Sequence, residues 1–441
     1  MKHISVDFSK PYGKIKPFNA VNNGPRERRG WNNLDSYEAL HIPYARLHDA
    51  SYVDEWFVDV HRIFPDFSAD ENDPKNYIFA PTDAYIARIF RVGTKPYYRL
   101  GASIEHGHKK GTYPPKDFAK WVRICEHIIL HYTEGWADGF HYDIEYWEIW
   151  NEPDNYKPTG ANPCWQGTPE EFFEFFAAVL PPLQKRFPHL KFGGPSIATA
   201  YHQEWCEAFF SYLHSHGLHP DFITYHRYER TPEDFVEYVR YTNAILEKYG
   251  FGDVETHLNE WNYVRGWRED NYAHSVESIK GLKGSAFAAA AICSLHPEKI
   301  DMLMYYDACL SVWCGLYDTD FLRPLKTYRV FSAFRALSEL GTAVESTVSD
   351  GHIYSLAATD GKNGAVLLTH FEERDGASGE KATLTLSSLP ENARLEIYKI
   401  SKARDLDLVK TVPCEKAEHT LSLSFTPYNT YLIKVIALFC K

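Results

Sequence analysis

The sequence has no long apolar segment. None of its 441 residues belongs to an uninterrupted apolar run of about 18 residues, the length that a membrane-spanning helix requires. The first residues, Met-Lys-His-Ile-Ser-Val-Asp-Phe-Ser, do not form the apolar core of a signal peptide. We therefore expect no membrane partner and a cytoplasmic location.

Cysteine is sparse and follows no recognisable spacing. The chain has 8 cysteines and no Cys-x-x-Cys pair, so the spacing predicts neither a zinc site nor a disulfide framework. Buried free thiols in a reducing compartment account for them. We expect no metal and no cofactor. The cysteines occupy positions 125, 164, 206, 293, 309, 314, 414 and 440.

Positive charge is also in deficit. The net charge is −12, and no block of like charge stands out. Nucleic acid and anionic membranes are therefore excluded as expected partners, because both would be repelled. Aromatic residues make up 15% of the chain, which is high. Most must belong to the core, but such a surplus also suits a sugar site, where the C–H faces of sugar rings pack on aromatic planes. A homo-oligomer stays open as a possibility.

Up to residue 335, short strand-like runs alternate with longer helical patterns, which is typical of βα units on a parallel sheet. Eight such strands predict an α/β fold, a (β/α)8 or TIM barrel. The predicted strands are Phe18–Asn22, Ile42–His48, Pro96–Ala102, Tyr146–Trp150, Lys191–Ser196, Phe222–His226, Glu255–Asn259 and Asp301–Tyr306. The predicted helices between them are Asp117–Tyr132, Pro169–Phe187, Gln203–His216, Thr231–Tyr249 and His274–Ser294.

From residue 336 the helical patterns give way to strands joined by turns, which predicts an appended C-terminal antiparallel β-sandwich. We therefore divide the chain into 1–15, 16–335 and 336–441: a first strand that joins the sandwich, the barrel and the sandwich itself. The predicted strands are Ile4–Phe8, Ser349–Thr359, Ala365–His370, Ala382–Leu386, Leu395–Ile400, Leu408–Val412 and Thr420–Val435.

Active sites of such barrels lie at the carboxyl ends of the strands. The fourth strand ends in Trp150-Asn151-Glu152-Pro153, where the proline stops the strand and leaves a carboxyl group among large apolar rings. Burial there favours the neutral acid, which can act as a general acid. The seventh strand ends in Asn259-Glu260. Glu152 and Glu260 would thus face each other across the barrel mouth, as glycosidic bond cleavage requires. Period-two alternation places Glu148 on the face of Glu152, but lower in the barrel and paired with a buried cation or hydroxyl.

The motifs at strands four, six and seven, in this order, resemble the clan of retaining glycosidases on (β/α)8 barrels. Within it the chain most resembles glycoside hydrolase family 39, which includes β-xylosidases and α-L-iduronidases. Besides Trp-Asn-Glu-Pro, His226-x-Tyr228 and Asn-Glu-Trp-Asn, the segments that carry the resemblance are Arg46-x-His48, Asn-Glu-Pro-Asp, Gly315-Leu316-Tyr317-Asp318 and Arg323-Pro324-Leu325-Lys326.

The resemblance implies that Glu152 is the acid/base and Glu260 the nucleophile of a retaining exo-glycosidase that releases terminal sugars, first of all from β-xylosides, from short oligosaccharides. Glu260 has to stay ionised, and Arg46, His226 and Tyr228 are the expected donors that lower its pKa.

We expect further side chains to contact the sugar. Asn151 would bond the hydroxyl beside the anomeric carbon, and His48 and Asp49 hydroxyls further round the ring. The remaining expected substrate-binding residues are His226, Tyr228, Trp261 and Tyr306.

Two departures from the family bear on the sugar. Asn259 stands where relatives tend to carry Thr, and Tyr305-Tyr306 where they tend to carry Trp. The second change alters the platform beneath the sugar. Arg265 and Arg268, after the seventh strand, are candidates for binding a uronic carboxylate.

Several alternatives stay open. An α-L-arabinosidase or another glycosidase of the family would use the same pair of carboxylates. A metal-dependent hydrolase could use His106-Gly107-His108, although the following Lys109-Lys110 would repel a cation. A non-catalytic sugar-binding barrel would have no need of both Glu152 and Glu260.

Overall fold

The computed structural model describes residues 2–28, 30–48, 57–157, 159–308, 311–349 and 351–438. The strands of these residues, numbered along the chain, are β1 Lys2–Lys14, β2 Ala20–Asn22, β3 Glu27–Arg28, β4 Trp31–Asn32, β5 Tyr44–Arg46, β6 Lys95–Leu100, β7 Tyr146–Ile149, β8 Lys191–Ile197, β9 Phe222–Glu229, β10 Glu255–Tyr263, β11 Met302–Tyr305, β12 Thr342–Val348, β13 Ile353–Thr359, β14 Gly364–His370, β15 Glu380–Ser387, β16 Ala393–Ser401, β17 Arg404–Cys414, β18 Glu418–Phe425 and β19 Thr430–Ala437.

The α-helices of the same residues are α1 Leu34–Glu38, α2 Val60–Ile63, α3 Ala80–Arg91, α4 Phe118–Thr133, α5 Pro169–Arg186, α6 Gln203–Ser215, α7 Pro232–Lys248, α8 Glu269–Lys280, α9 Leu282–Leu295 and α10 Lys326–Leu340. A 3₁₀ turn covers Pro74–Asn76. No helix among the described residues is both long and apolar enough to cross a membrane.

Eight parallel strands close into a barrel in the order β10-β11-β2-β5-β6-β7-β8-β9. The predicted (β/α)8 barrel is therefore confirmed, and each barrel strand overlaps a predicted one. Helices α5 and α7 each begin directly after a threonine cap: the hydroxyls of Thr168 and Thr231 accept hydrogen bonds from the backbone N–H groups of Glu171 and Asp234.

One predicted helix is wrong. The pattern over His274–Ser294 forms two helices, α8 and α9, separated by Gly281 in an extended conformation. The break brings the start of α9 directly against the end of α8. A Cβ on Gly284 would lie 2.5 Å from the carbonyl oxygen of Ser278, so only glycine fits there.

The second sheet has nine strands in the order β17-β16-β19-β14-β13-β12-β1-β15-β18. Strand β1 pairs antiparallel with β12 and parallel with β15. Side chains from both ends of this order, such as Leu384, Leu421, Leu395 and Ile433, share one buried core. The sheet therefore folds over itself into a sandwich, which confirms the predicted architecture.

Two details of the sandwich differ from the predicted strands. The run Thr420–Val435 forms two strands, β18 and β19, because residues 426–429 turn around Pro427, which has no N–H to donate. Strand β12 has no predicted counterpart. The predicted domain limits stay predictions, and α10 runs through residues 335 and 336.

The strand that carries Glu260 contains a bulge. Leu258 pairs with Tyr225 and Glu260 pairs with His226, so Asn259 is an extra residue on β10. A bulge interrupts the period-two alternation of a strand. Asn259 and Glu260 consequently both reach polar groups inside the barrel, whereas Trp261 packs in the apolar core against Phe235 and Tyr305.

Candidate active site

Glu152 and Glu260 meet at the barrel mouth, after β7 and near the end of β10. One carboxylate oxygen of each and one ring nitrogen of His226 all lie within 4.8 Å of one another. The Glu152 side chain is 14% exposed and the Glu260 side chain 7% exposed. The structure thus brings together the two carboxylates that the strand ends predict.

The Glu152 carboxylate is held on both oxygens. Nδ1 of His226 lies 2.8 Å from Oε1, and Nδ2 of Asn155 donates to Oε2 at 2.6 Å. The backbone of Glu152 has a φ of 48°, an uncommon value for a side chain of this size, and its N–H donates to the carbonyl of Ser196. Its position therefore depends on the loop after β7 and on strand β8 together.

The Glu260 carboxylate accepts two strong hydrogen bonds. Nη1 of Arg46 donates to Oε1 at 2.8 Å, and the hydroxyl of Tyr228 donates to Oε2 at 2.7 Å. Nδ1 of His226 is 3.5 Å from Oε2, and Nε2 of His48 is 3.9 Å from Oε1. The expected donors Arg46, Tyr228 and His226 all lie at this carboxylate.

Arg46 organises the floor of the site. Its side chain is fully buried, and its guanidinium makes five hydrogen bonds, as many as it has N–H groups. The partners are Glu148, Asn22, Glu260, Asn151 and Ser196. Glu148 lies below Glu152 and Glu260, where it also accepts from Ser196 and Asn259, so its predicted pairing with a buried cation is confirmed.

We expect Arg46→Met to lower the free energy of unfolding by about 3–5 kcal/mol, because it leaves the buried Glu148 and Glu260 without their cation. Arg46→Lys keeps the charge but loses the planar fork, so its loss should be smaller. Chemical denaturation of the three proteins measures the difference. A methionine variant within about 1 kcal/mol of wild type would contradict the role given to Arg46.

The electrostatics of the free site differ from the sequence expectation. Burial raises the pKa of Glu152, but His226, Asn155 and Lys157 outweigh it and leave the pKa below its usual value. Burial also raises the pKa of Glu260, and this together with the charge of Glu152 outweighs His226, Arg46 and Tyr228, so the pKa stays raised. Carboxyl groups this close titrate as a pair. In the free protein the proton of the pair therefore favours Glu260 over Glu152, the reverse of the expectation.

Two neighbours of the pair have fixed protonation at neutral pH. Burial, with the charge of Glu260, raises the pKa of Tyr228 well above 10, so the phenol keeps its proton and donates. Burial, with the charges of Arg46 and Arg99, lowers the pKa of His48 well below 6.5, so this imidazole is neutral.

The pair opens into a cavity of about 520 Å³. Tyr228, Trp267 and Trp313 form one side of it, which we call the aromatic wall; ring centroids are 5.2 Å apart for Tyr228 and Trp267 and 5.4 Å apart for Trp267 and Trp313. The other lining residues are His48, Ile104, His106, Glu152, Asn155, Tyr156, Lys157, Ala198, Thr199, His202, Glu260 and Tyr306.

The other residues expected to bind substrate fall into three groups. His48 and Tyr306 line the cavity. Asn151 is buried and does not line it, and its amide oxygen accepts from Arg46 at 2.7 Å. Trp261 is fully buried in the apolar core and does not line the cavity, so it is not placed to contact a sugar there. Asp49 lies outside the described residues.

The sequence did not predict several residues of the site, among them Ser196, Asn155 and Trp267. Ser196 bonds Arg46 and Glu148, Asn155 bonds Glu152, and Trp267 is an exposed part of the aromatic wall. A signal exists for Asn155, which follows Glu152 by three residues, and for Trp267, which lies in the loop after the seventh strand. The sequence offers no such signal for Ser196, because its role depends on contacts with four other strands.

The residues that were candidates for binding a metal ion or a uronic carboxylate do not come together in a site. In the part of the chain that the structure describes, His106 and His108 belong to no cluster of potential metal ligands. Arg265 is turned toward the sandwich, where it pairs with Glu373 and Asp375, and Arg268 does not line the cavity. The structure therefore supports neither a metal site at His106 and His108 nor uronate binding by Arg265 and Arg268.

Known proteins resemble the chain in sequence and in fold. The sequence pattern described as "Glycosyl hydrolases family 39" matches residues 3–305. A beta-xylosidase from Geobacillus stearothermophilus is 23% identical over 334 residues, which are 66% of this chain and 60% of that protein. The chain thus spans less than two thirds of the length of this curated relative.

Two solved structures align with all of the chain and over their own full length. A glucosidase from Croceicoccus marinus has a TM-score of 0.82 at 21% identity. A monomeric beta-xylosidase from Caulobacter crescentus has a TM-score of 0.75 at 16% identity. These likenesses show the fold. Because the family pattern covers well over half of the sequence, the chain belongs to glycosyl hydrolase family 39.

Proposed function

We propose that the protein is a retaining, exo-acting glycosidase that removes terminal xylose from β-xylosides of short oligosaccharides. The observation that carries the retaining mechanism is the carboxylate oxygens of Glu152 and Glu260 within 4.8 Å of each other. Retaining enzymes hold the two carboxyl groups about 5–5.5 Å apart, whereas inverting enzymes separate them by about 6.5–9.5 Å to admit water.

In the first step Glu260 attacks the anomeric carbon while Glu152 protonates the glycosidic oxygen. The bond between these two sugar atoms breaks, and the leaving group departs as an alcohol. The proton must therefore lie on Glu152 when the sugar is bound. A glycosidic oxygen beside Glu152 accepts a hydrogen bond from its acid form, and the positive charge that develops at the anomeric carbon favours ionised Glu260. With the substrate bound, the proton of the pair therefore favours Glu152 over Glu260, the reverse of the free site.

In the second step Glu152 takes a proton from a water molecule, whose oxygen attacks the anomeric carbon and displaces Glu260. Glu260 carries no charge while it is bound to the sugar, so it no longer raises the pKa of Glu152. Glu152, which has given its proton to the leaving group, is therefore ionised and can accept the proton of the water. Asn151 is held by Arg46, and its amide N–H groups are suited to the hydroxyl next to the anomeric carbon. His48, neutral and buried beside Glu260, is suited to another ring hydroxyl.

The size of the cavity supports exo action on short substrates. Its volume of about 520 Å³ lies within the range of small-ligand pockets, roughly 300–1,000 Å³, and does not suggest a long polymer cleft. The similarity to a beta-xylosidase supports xylose as the first candidate sugar.

Nitrophenyl glycosides of β-xylose, arabinofuranose, glucose, galactose and glucuronic acid test the sugar. We expect the β-xyloside to give the highest kcat/KM, with no loss of activity in the presence of a chelator. Proton NMR of the first product should show β-xylose before mutarotation. Initial release of the α-anomer would contradict the retaining mechanism, and a faster arabinofuranoside would replace xylose by arabinose.

A further inference from the structure

The sandwich contacts the loop that supplies an aromatic ring to the cavity. This loop, residues 264–268, joins β10 to α8 and contains both Arg265 and Trp267. The segment 371–375 of the sandwich, after β14, approaches it from outside the barrel. Only Gly266 lies between the contact residue Arg265 and the cavity-lining indole of Trp267.

Charged groups from both domains form the contact, which we call the interdomain charge cluster: Arg265, Lys283, Glu373 and Asp375. Nε of Arg265 donates to Glu373 at 2.6 Å, and its Nη2 donates to Asp375 at 2.8 Å. Nζ of Lys283 on α9 lies 2.9 Å from the Glu373 carboxylate, and the hydroxyl of Tyr263 donates to it at 2.8 Å. Glu373 thus binds the end of β10, the loop and α9 at once.

These contacts are stronger than ordinary surface ion pairs. The side chains of Arg265 and Glu373 are only 19% and 18% exposed, and Arg265 bonds both partner carboxylates. Hydrogen bonding from Arg265 lowers the pKa of Asp375 to about 2, so this carboxylate stays charged throughout the neutral and mildly acidic range.

The loop needs such support, because Trp267 has little of its own. The residue is 57% exposed, and the ring contacts on it come from Tyr228 and Trp313. An indole that is mostly exposed at the mouth of a cavity offers its face to a ligand at low cost in lost rotamers. A free loop would let that face move away from the cavity.

We propose that the sandwich positions Trp267 through Arg265, and so sets the affinity of the cavity for the sugar chain. Arg265 is a positioning residue, since it does not line the cavity. The inference rests on the proposed glycosidase function and gives the second domain a part in it.

The test compares Arg265→Met, Trp267→Ala and the double variant. We expect each single variant to raise KM for a xylo-oligosaccharide about two- to tenfold with kcat nearly unchanged, the range of a lost aromatic contact. The double variant should be no worse than Trp267→Ala alone, because Arg265 acts only through that ring. Hydrogen exchange of residues 264–268 should quicken in Arg265→Met and in Glu373→Gln.

Lys326→Met is the matched control. Lys326 also pairs with the sandwich, through Asp405 at 2.5 Å, but it does not line the cavity or adjoin the wall. It should leave KM and exchange of the loop unchanged. Multiplying effects in the double variant, or an unchanged KM in either single variant, would overturn the positioning role. If the wild type cleaves no glycoside, the proposed glycosidase function is wrong. If a folded Arg265→Met variant shows hydrogen exchange of residues 264–268 as slow as that of the wild type, Arg265 does not hold the loop, whatever the activity.

Discussion

Replacing Glu260 by glycine should lower kcat/KM on every glycoside by about four orders of magnitude or more, or at least about 5.5 kcal/mol of transition-state stabilisation. The carboxylate is buried, aimed into the cavity and bonded by Arg46 and Tyr228. Glu148 cannot replace it, because it lies beneath Arg46 and is fully buried. Initial rates on a nitrophenyl xyloside measure the loss.

Rescue of the variant by azide tests whether the lost group is the nucleophile. In Glu260→Gly the space left by the side chain should admit azide, which attacks the anomeric carbon from the side of the nucleophile. The product should be a glycosyl azide of inverted configuration, and the rate should rise with azide concentration. Glu255→Gln is the matched control, since Glu255 begins the same strand and pairs with Lys191 away from the cavity. An active Glu260→Gly, or a folded variant without rescue, would count against Glu260 as nucleophile.

The barrel could be predicted because its strands are buried on both faces and read as short apolar runs. The meeting of Glu152 and Glu260 could be predicted because each glutamate stands at the end of a predicted strand, in a recognisable motif. Predictions were wrong where one element meets another. Trp261 was expected at the cavity, but the bulge at Asn259 turns Glu260 inward and Trp261 outward. Such a bulge leaves no signal in the strand's own sequence.

Which carboxyl group of the pair holds the proton could not be predicted either. The sequence indicates an apolar setting for Glu152, which favours its acid form. The structure adds His226 and Asn155, which bond Glu152 and lower its pKa, while burial keeps the pKa of Glu260 raised. These neighbours come from other strands and loops, and their distances decide which carboxyl holds the proton.

Replacing Glu152 by alanine should separate two kinds of substrate. A xyloside with a dinitrophenolate leaving group needs no proton to depart, so its first step should keep most of its rate. A xylo-oligosaccharide leaves as a poorly acidic alcohol, and its kcat/KM should fall by about 10²–10⁴-fold, the usual contribution of general acid catalysis. Glu145→Gln is the matched control, because Glu145 precedes the same strand and pairs with Lys191. Equal losses on both substrates would contradict the acid role.

The pH dependence of kcat/KM provides a second test of Glu152 as the acid. For the wild type, kcat/KM should fall at high pH as the pair loses its proton and at low pH as both carboxyls become protonated. In Glu152→Ala the residual kcat/KM on the xylo-oligosaccharide should show no alkaline fall, because no acid is left to lose its proton. The acidic fall should move to lower pH, because the charge of Glu152 raises the pKa of Glu260 and the variant removes it. An alkaline limb that persists unchanged in the variant would place the essential acid on another residue.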